Sequence, residues 1–290
     1  MIEFSGVYTA MVTPFLDGKI DYDTLAKQIE FQVAGGVAGL VPVGTTGESP
    51  TLDYEEHMRV IEFTIEKVNG RCQVIAGTGG NSTREAVELT KKAKKLGADA
   101  TLQVTPYYNK PTQEGLYRHF ATVADEAGLP VVLYNVPGRA GVPIALDTVV
   151  RLSQNSNIAA IKEAAGSVDR VSEILDTCRI QILSGDDSLT LPMMAVGARG
   201  VISVASNLIP KELTEMCTFA LENNFNAAKV IHKKYYRLFR DLFIETNPIP
   251  VKAAMDFVGT CRQEYRLPLC AMTDAHLSVL RKTMKECGLL

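Results

Sequence analysis

Residues 158–164 read IAAIKEA. Four apolar residues run into Lys162 and then Glu163. The stretch has the length and composition of a strand buried on both faces, where apolar residues run on instead of alternating with polar ones. A lysine at the end of such a strand is costly to take out of water, so its presence asks for a reason. Seven runs of the same kind accompany it: VYTAMVTP from Val7, GLVPVG from Gly39, QVIAGT from Gln73, ATLQVTP from Ala100, PVVLYNVP from Pro130, IQILSG from Ile180 and GVISVAS from Gly200.

Amphipathic stretches separate these runs. DYEEHMRVIEFTIEKVNG puts Met58, Ile61, Ile65 and Val68 at helical spacing. DYDTLAKQIEFQVAGG, STREAVELTKKAKKLG and TQEGLYRHFATVADEAG open on Asp, Ser or Thr and close on glycine. Such starts satisfy free N–H groups, and glycine tolerates the left-handed turn that ends a helix. Eight strand–helix units in series predict an α/β fold, a closed (β/α)8 TIM barrel. The runner-up is an open doubly wound sheet. That fold would usually carry a glycine-rich turn directly after its first strand, and VTPFLDG is not one. Strands stop near residue 224, and NFNAAKVIHKKYYRLFRDLF, PIPVKAAMDFVG and TDAHLSVLRKTMKECG read as helices. The expectation is a catalytic barrel over 1–224 and a C-terminal helical region over 225–290, its apolar faces packed on the barrel or on another subunit.

Composition is that of an ordinary globular protein, with 46% hydrophobic and 22% charged residues and a net charge of -3. No basic block suggests nucleic acid or an anionic membrane as partner. No run approaches the roughly 18–20 apolar residues of a membrane span, and the start lacks a signal-peptide pattern, so the expectation is a cytoplasmic protein. The six cysteines are scattered without a CxxC, which suits free thiols in a reducing compartment. The four histidines show neither HxH nor HExxH spacing, so no metal site is expected.

Barrel enzymes carry their chemistry at the C-terminal ends of the strands. The polar residues there are Thr45 and Thr46, then Tyr107, Tyr108 and Asn109, then Tyr134 and Arg139, then Lys162 and Glu163, then Asp186, Asp187 and Ser203. A lysine amine held out of water can be neutral near pH 7, attack a ketone and form a Schiff base. Tyrosine can shuttle protons, and arginine can hold a carboxylate through two hydrogen bonds. The bland alternatives are a lysine snorkelling out of the strand end or paired with Glu163. The second is the weaker, because Glu163 points to the other face of the strand. GTTGE at 44–48 reads either as a tight turn or as exposed N–H and hydroxyl groups that bind a carboxylate. GTGGN at 77–81 lacks the lysine of a phosphate loop.

The ordered motifs VGTTGESPTL, IAGTGGNST, VTPYYNKP, YNVPGR, IKEA, SGDD and GVISV, with NPIPVKAA and RLPL in the tail, resemble the dihydrodipicolinate synthase family of class I aldolases over essentially the whole chain. The family is also called 4-hydroxy-tetrahydrodipicolinate synthase. The resemblance implies a Schiff base between Lys162 and pyruvate, Tyr134 as proton shuttle, and Thr45 linking it to Tyr108 of a neighbouring subunit. It implies that Thr46 holds the pyruvate carboxylate, that Arg139 binds the carboxylate of L-aspartate 4-semialdehyde, and that Gly185 and Ile202 give backbone contacts near the lysine. It implies no cofactor and a homotetramer built as a dimer of dimers. Part of the family is inhibited by L-lysine. The matching positions are Ser49, His57, Asn81, Glu85 and Tyr107, whereas Pro50 and Tyr54 depart from one family pattern. N-acetylneuraminate lyase and keto-deoxy sugar-acid aldolases share the lysine, the tyrosine and the G-x-T-G-E turn. They usually have serine at the position of Thr45 and lack an arginine matching Arg139. A non-catalytic ligand sensor on the same barrel would be expected to lose the lysine or the tyrosines, which are all present.

Overall fold

The structure is a computed structural model and describes residues 2–290. Each of the eight apolar runs contributes a strand: β1 (Gly6–Ala10), β2 (Gly39–Val41), β3 (Gln73–Gly77), β4 (Ala100–Val104), β5 (Val131–Asn135), β6 (Ile158–Glu163), β7 (Gln181–Ser184) and β8 (Gly200–Ser203). Every strand pairs in parallel with its neighbours in sequence, and β1 closes on both β2 and β8, giving a sealed barrel. Closure leaves no sheet edge, and strands covered on both faces read as continuous apolar runs.

Helices α1 (Tyr22–Ala34), α2 (Tyr54–Val68), α3 (Thr83–Leu96), α4 (Gln113–Ala127), α5 (Leu146–Leu152), α6 (Val168–Thr177), α7 (Thr190–Ala195) and α8 (Pro210–Leu221) follow the strands in turn. The expected punctuation is in place. Asp21 accepts from the Thr24 N–H, Asp53 and Glu56 form a reciprocal capping box, and Gly97 and Gly128 end α3 and α4 in the left-handed conformation. A short antiparallel ribbon, Phe15–Leu16 with Lys19–Ile20, covers part of the first connection. Three C-terminal helices complete the chain: α9 (Phe225–Asp241), α10 (Ile249–Phe257) and α11 (Asp274–Glu286).

Two apolar layers result. The barrel interior is filled by Tyr8, Val41, Ile75, Leu102, Val132, Tyr134, Leu183 and Ile202, plugged at one end by Phe4. The layer between strands and helices holds Leu40, Ile61, Val74, Phe120, Ile161 and Ile182, and continues into Leu238, Val251 and Leu280 of the C-terminal helices. Among the described residues no helix is long and apolar enough to cross a membrane.

Candidate active site

Strands β5 and β6 run side by side in a register that pairs Tyr134 with Lys162 and Asn135 with Glu163. Successive side chains of a strand face opposite ways, so the two pairs part. Tyr134 and Lys162 turn into the barrel, where the lysine is 5% exposed and its Nζ stands 4.3 Å from the centre of the Tyr134 ring. Glu163 turns outward. It accepts two hydrogen bonds from Asn135 Nδ2, at 2.8 and 3.0 Å, and one from the Ala165 N–H, with Arg170 3.8 Å away. The lysine therefore neither snorkels into solvent nor pairs with its neighbour.

A cavity of about 160 Å³ surrounds the end of Lys162. Its wall includes Thr45, Thr46, Tyr134, Arg139, Gly185 and Asp186. A second cavity of about 220 Å³ adjoins it, sharing Thr45, Tyr134 and Arg139 and extending to Ser49, Pro50 and Tyr107. Both are smaller than the roughly 300–1,000 Å³ of pockets that take drug-sized ligands, which suits small acids.

Three carboxyl groups lie near this end of the barrel and are held above their ordinary range by burial. For Asp186, the Lys162 charge opposes the shift. For the fully enclosed Asp187 the opposing influences are hydrogen bonds from the Ser203 hydroxyl and the N–H groups of Ala205 and Val204, and then Lys162. For Glu163 they are Asn135, the Ala165 N–H and Arg170. Asp187 thus ties the end of β8 to the segment after β7 behind the lysine.

The remaining site candidates divide. Arg139 lies on a single helical turn, Pro137–Ala140, at the cavity mouth, and its Nη2 donates to the Asn247 carbonyl at 3.2 Å. Gly185 lines the cavity, whereas Ile202 is wholly buried in the barrel interior behind it. Tyr108 lines neither cavity. It is 92% exposed, with φ at 65°. His57 lines neither cavity, but its Nε2 stands 2.7 Å from the carbonyl of Gly77, which lines the outer one, and burial pushes its pKa down despite that bond. Asn81 accepts at its carbonyl from Asn109 Nδ2, and Glu85 sits in the exposed first turn of α3. Tyr54 opens α2 with its ring 4.7 Å from Lys92 Nζ, away from both cavities.

The sequence model described as "Dihydrodipicolinate synthetase family" matches residues 3–287. The chain belongs to the dihydrodipicolinate synthetase family. A relative from Pelobacter propionicus, named 4-hydroxy-tetrahydrodipicolinate synthase, is 52% identical over 289 residues, covering 99% of this chain and 100% of the relative. The crystal structure of dihydrodipicolinate synthase from Aquifex aeolicus superposes with a TM-score of 0.97 at 52% identity, covering 99% of both chains. The enzyme from Cyanidioschyzon merolae, crystallised with lysine bound, superposes with a TM-score of 0.96 at 42% identity, again covering 99% of both.

This member of the dihydrodipicolinate synthetase family builds part of its cavity from the C-terminal region, which strand-end reasoning does not reach. Phe243 and Asn247 line the lysine cavity from the segment between α9 and α10. Asn247 Nδ2 donates to Thr46 Oγ1 at 3.0 Å, so one residue touches both Thr46 and Arg139. The sequence signal for it is the asparagine that opens NPIPVKAA in the tail.

Proposed function

We propose that this protein is a 4-hydroxy-tetrahydrodipicolinate synthase, which condenses pyruvate with L-aspartate 4-semialdehyde through a Schiff base on Lys162. The observation that carries this reading is the lysine itself. Its amine ends an apolar strand inside a small cavity, against a tyrosine ring, with an arginine anchored at the mouth. In the reaction, the Lys162 amine attacks the pyruvate ketone and water leaves, giving an iminium that acts as electron sink. A methyl proton departs to give an enamine, with Tyr134 as the proton carrier. The enamine carbon bonds to the aldehyde carbon, whose oxygen takes up a proton. The semialdehyde amine then attacks the iminium carbon, closes the ring and expels the Lys162 amine.

Thr46 holds the pyruvate carboxylate. Because Thr46 Oγ1 accepts from Asn247, its own hydroxyl proton is left to donate. Arg139 takes the carboxylate of the semialdehyde, and the Gly185 and Ile202 backbones flank the lysine. Tyr108, exposed and lining neither cavity of its own chain, reaches the site of a second copy, where Thr45 links it to Tyr134. The assembly is then a homotetramer made of two such dimers, acting in lysine and diaminopimelate biosynthesis in the cytoplasm. L-lysine binds beside Ser49, Tyr107 and His57, with Asn81 and Glu85 at the rim, and lowers activity. Flat activity as L-lysine rises to millimolar levels would sink that part.

The decisive experiment is a reductase-coupled assay with pyruvate and L-aspartate 4-semialdehyde, beside Lys162→Ala. Turnover that vanishes in the variant supports both the reaction and the nucleophile. A wild-type protein that turns over a sugar-acid substrate instead would move the assignment to the neuraminate-lyase type and remove Arg139 as a specificity residue.

A further inference from the structure

The loop that carries Thr45 and Thr46 is bounded by two non-glycine residues in the left-handed region, Val43 at φ 56° and Glu48 at φ 55°. That backbone is unfavourable for an L-residue, most of all for a β-branched one. It persists only where the surroundings hold it. Three side chains from outside the loop do so. Thr13 Oγ1 donates to the Gly47 carbonyl at 2.7 Å, Asn247 Nδ2 donates to Thr46 Oγ1 at 3.0 Å, and Lys252 Nζ donates to Glu48 Oε1 at 2.5 Å.

The last contact is an ion pair with no exposed surface on either side chain. Lys252 Nζ also donates to the Glu264 carbonyl at 2.6 Å and stands over the rings of Phe15 and Tyr265, at 4.4 and 5.3 Å. Glu48 Oε2 accepts from the Arg266 N–H at 3.2 Å. A buried ion pair is a poor source of stability, because desolvation offsets the attraction and apolar residues of the same volume often do as well. What it supplies is one arrangement, since any displacement separates charge in a medium of low polarity. Here it closes the loop that presents Thr45 and Thr46. Asn247 and Lys252 lie in one segment around the start of α10, so that segment grips the loop at Thr46 and at Glu48 together.

We infer that Glu48 and Lys252 are positioning residues for the ketoacid carboxylate, so that α10, outside the barrel, sets the affinity of the lysine site for pyruvate. The inference rests on the proposed role of Thr46. It predicts selectivity, because Arg139 hangs from the Asn247 carbonyl and touches neither member of the pair.

The test compares wild type with Glu48→Gln/Lys252→Met, which removes both charges and keeps an acceptor for the Arg266 N–H. Pyruvate is trapped on Lys162 with borohydride and the adduct is followed by mass spectrometry against pyruvate concentration. The KM of each substrate is measured in parallel. The expected result is a rise of about tenfold in half-saturating pyruvate, with the semialdehyde KM nearly unchanged and a folded protein. Wild-type half-saturation in the folded variant would overturn the inference. So would a parallel rise in both KM values, which marks general loosening. If the double variant does not fold, Glu48→Asp shortens the tether by one methylene with charge retained, and the same outcomes decide. Trapping needs pyruvate alone. A wild type that traps pyruvate but does not condense it with the semialdehyde counts against the proposed reaction and leaves the pair testable.

Discussion

Lys162 and Glu163 are adjacent in sequence, and both are buried, but they end in different surroundings. The lysine faces a cavity and a tyrosine ring, while the glutamate is enclosed by Asn135, Arg170 and a backbone N–H. The difference is one step in strand parity, which is why the register of β5 on β6 matters more than either residue type. Gly77, at the end of β3, works by what it lacks. A Cβ there would lie 2.3 Å from the Val43 carbonyl oxygen and 2.9 Å from the Gly44 nitrogen, both backbone atoms that cannot swing aside. The Thr45 loop therefore rests directly on β3. Gly77→Ala is expected to cost about 1–3 kcal/mol in unfolding free energy and to raise the pyruvate KM by displacing Thr45 and Thr46. Denaturant melts and steady-state kinetics check this, and wild-type values in both would mean that the loop yields freely.

Helices α3 and α4 meet through Thr83 Oγ1 and His119 Nδ1, 2.9 Å apart, with the histidine 5% exposed and edge-on to Phe120. Burial pushes the His119 pKa down to about 4 from 6.5. The folded state thus binds this proton less readily than the unfolded chain. The stability it contributes is present above the unfolded pKa and is lost as pH falls toward 4. A shift of that size corresponds to about 3 kcal/mol. His57 acts in the same direction. Glu163, Asp186 and Asp187, raised by burial, act in the opposite one, their contribution lost as pH rises through their folded pKa values. His119→Gln keeps a partner for Thr83 and is expected to flatten the loss of unfolding free energy between pH 7 and pH 4 by up to about 3 kcal/mol. Parallel profiles for variant and wild type would refute this. The eight strands and the helix caps were legible in the sequence because each depends on a short local pattern: an apolar run, an Asp or Ser start, a glycine stop. Lys162, Tyr134, Thr45, Thr46 and Arg139 were legible for the same reason, as polar groups at strand ends. Asn247 and Lys252 were not. Their partners Thr46 and Glu48 are 201 and 204 residues away, and no local pattern encodes which barrel loop the C-terminal helices will meet.

At the scale of the molecule, the barrel supplies a lysine, a tyrosine and an arginine to one cavity, yet Tyr108 stands 92% exposed outside it in a left-handed conformation. A bulky residue held that way carries a conformational cost. If Tyr108 serves the site of a second copy, two defective chains should repair one another. Lys162→Ala has no nucleophile but still offers Tyr108, and Tyr108→Phe keeps its nucleophile but offers no hydroxyl. In a symmetric dimer made from both, one of the two sites has its own Lys162 and receives an intact tyrosine, while the other has neither. Equal mixing with free exchange makes half of the dimers mixed, so about a quarter of wild-type sites should be complete. The measurement is turnover of the two purified variants before and after subunit exchange, with the dimer fraction followed by sedimentation. Recovery toward about a quarter of wild-type activity supports a tyrosine donated across the interface. If Tyr108 acted within its own chain, no mixed dimer would contain a site with both groups. Activity after exchange would then stay at the mean of the two parents, and the role proposed for Tyr108 would fall.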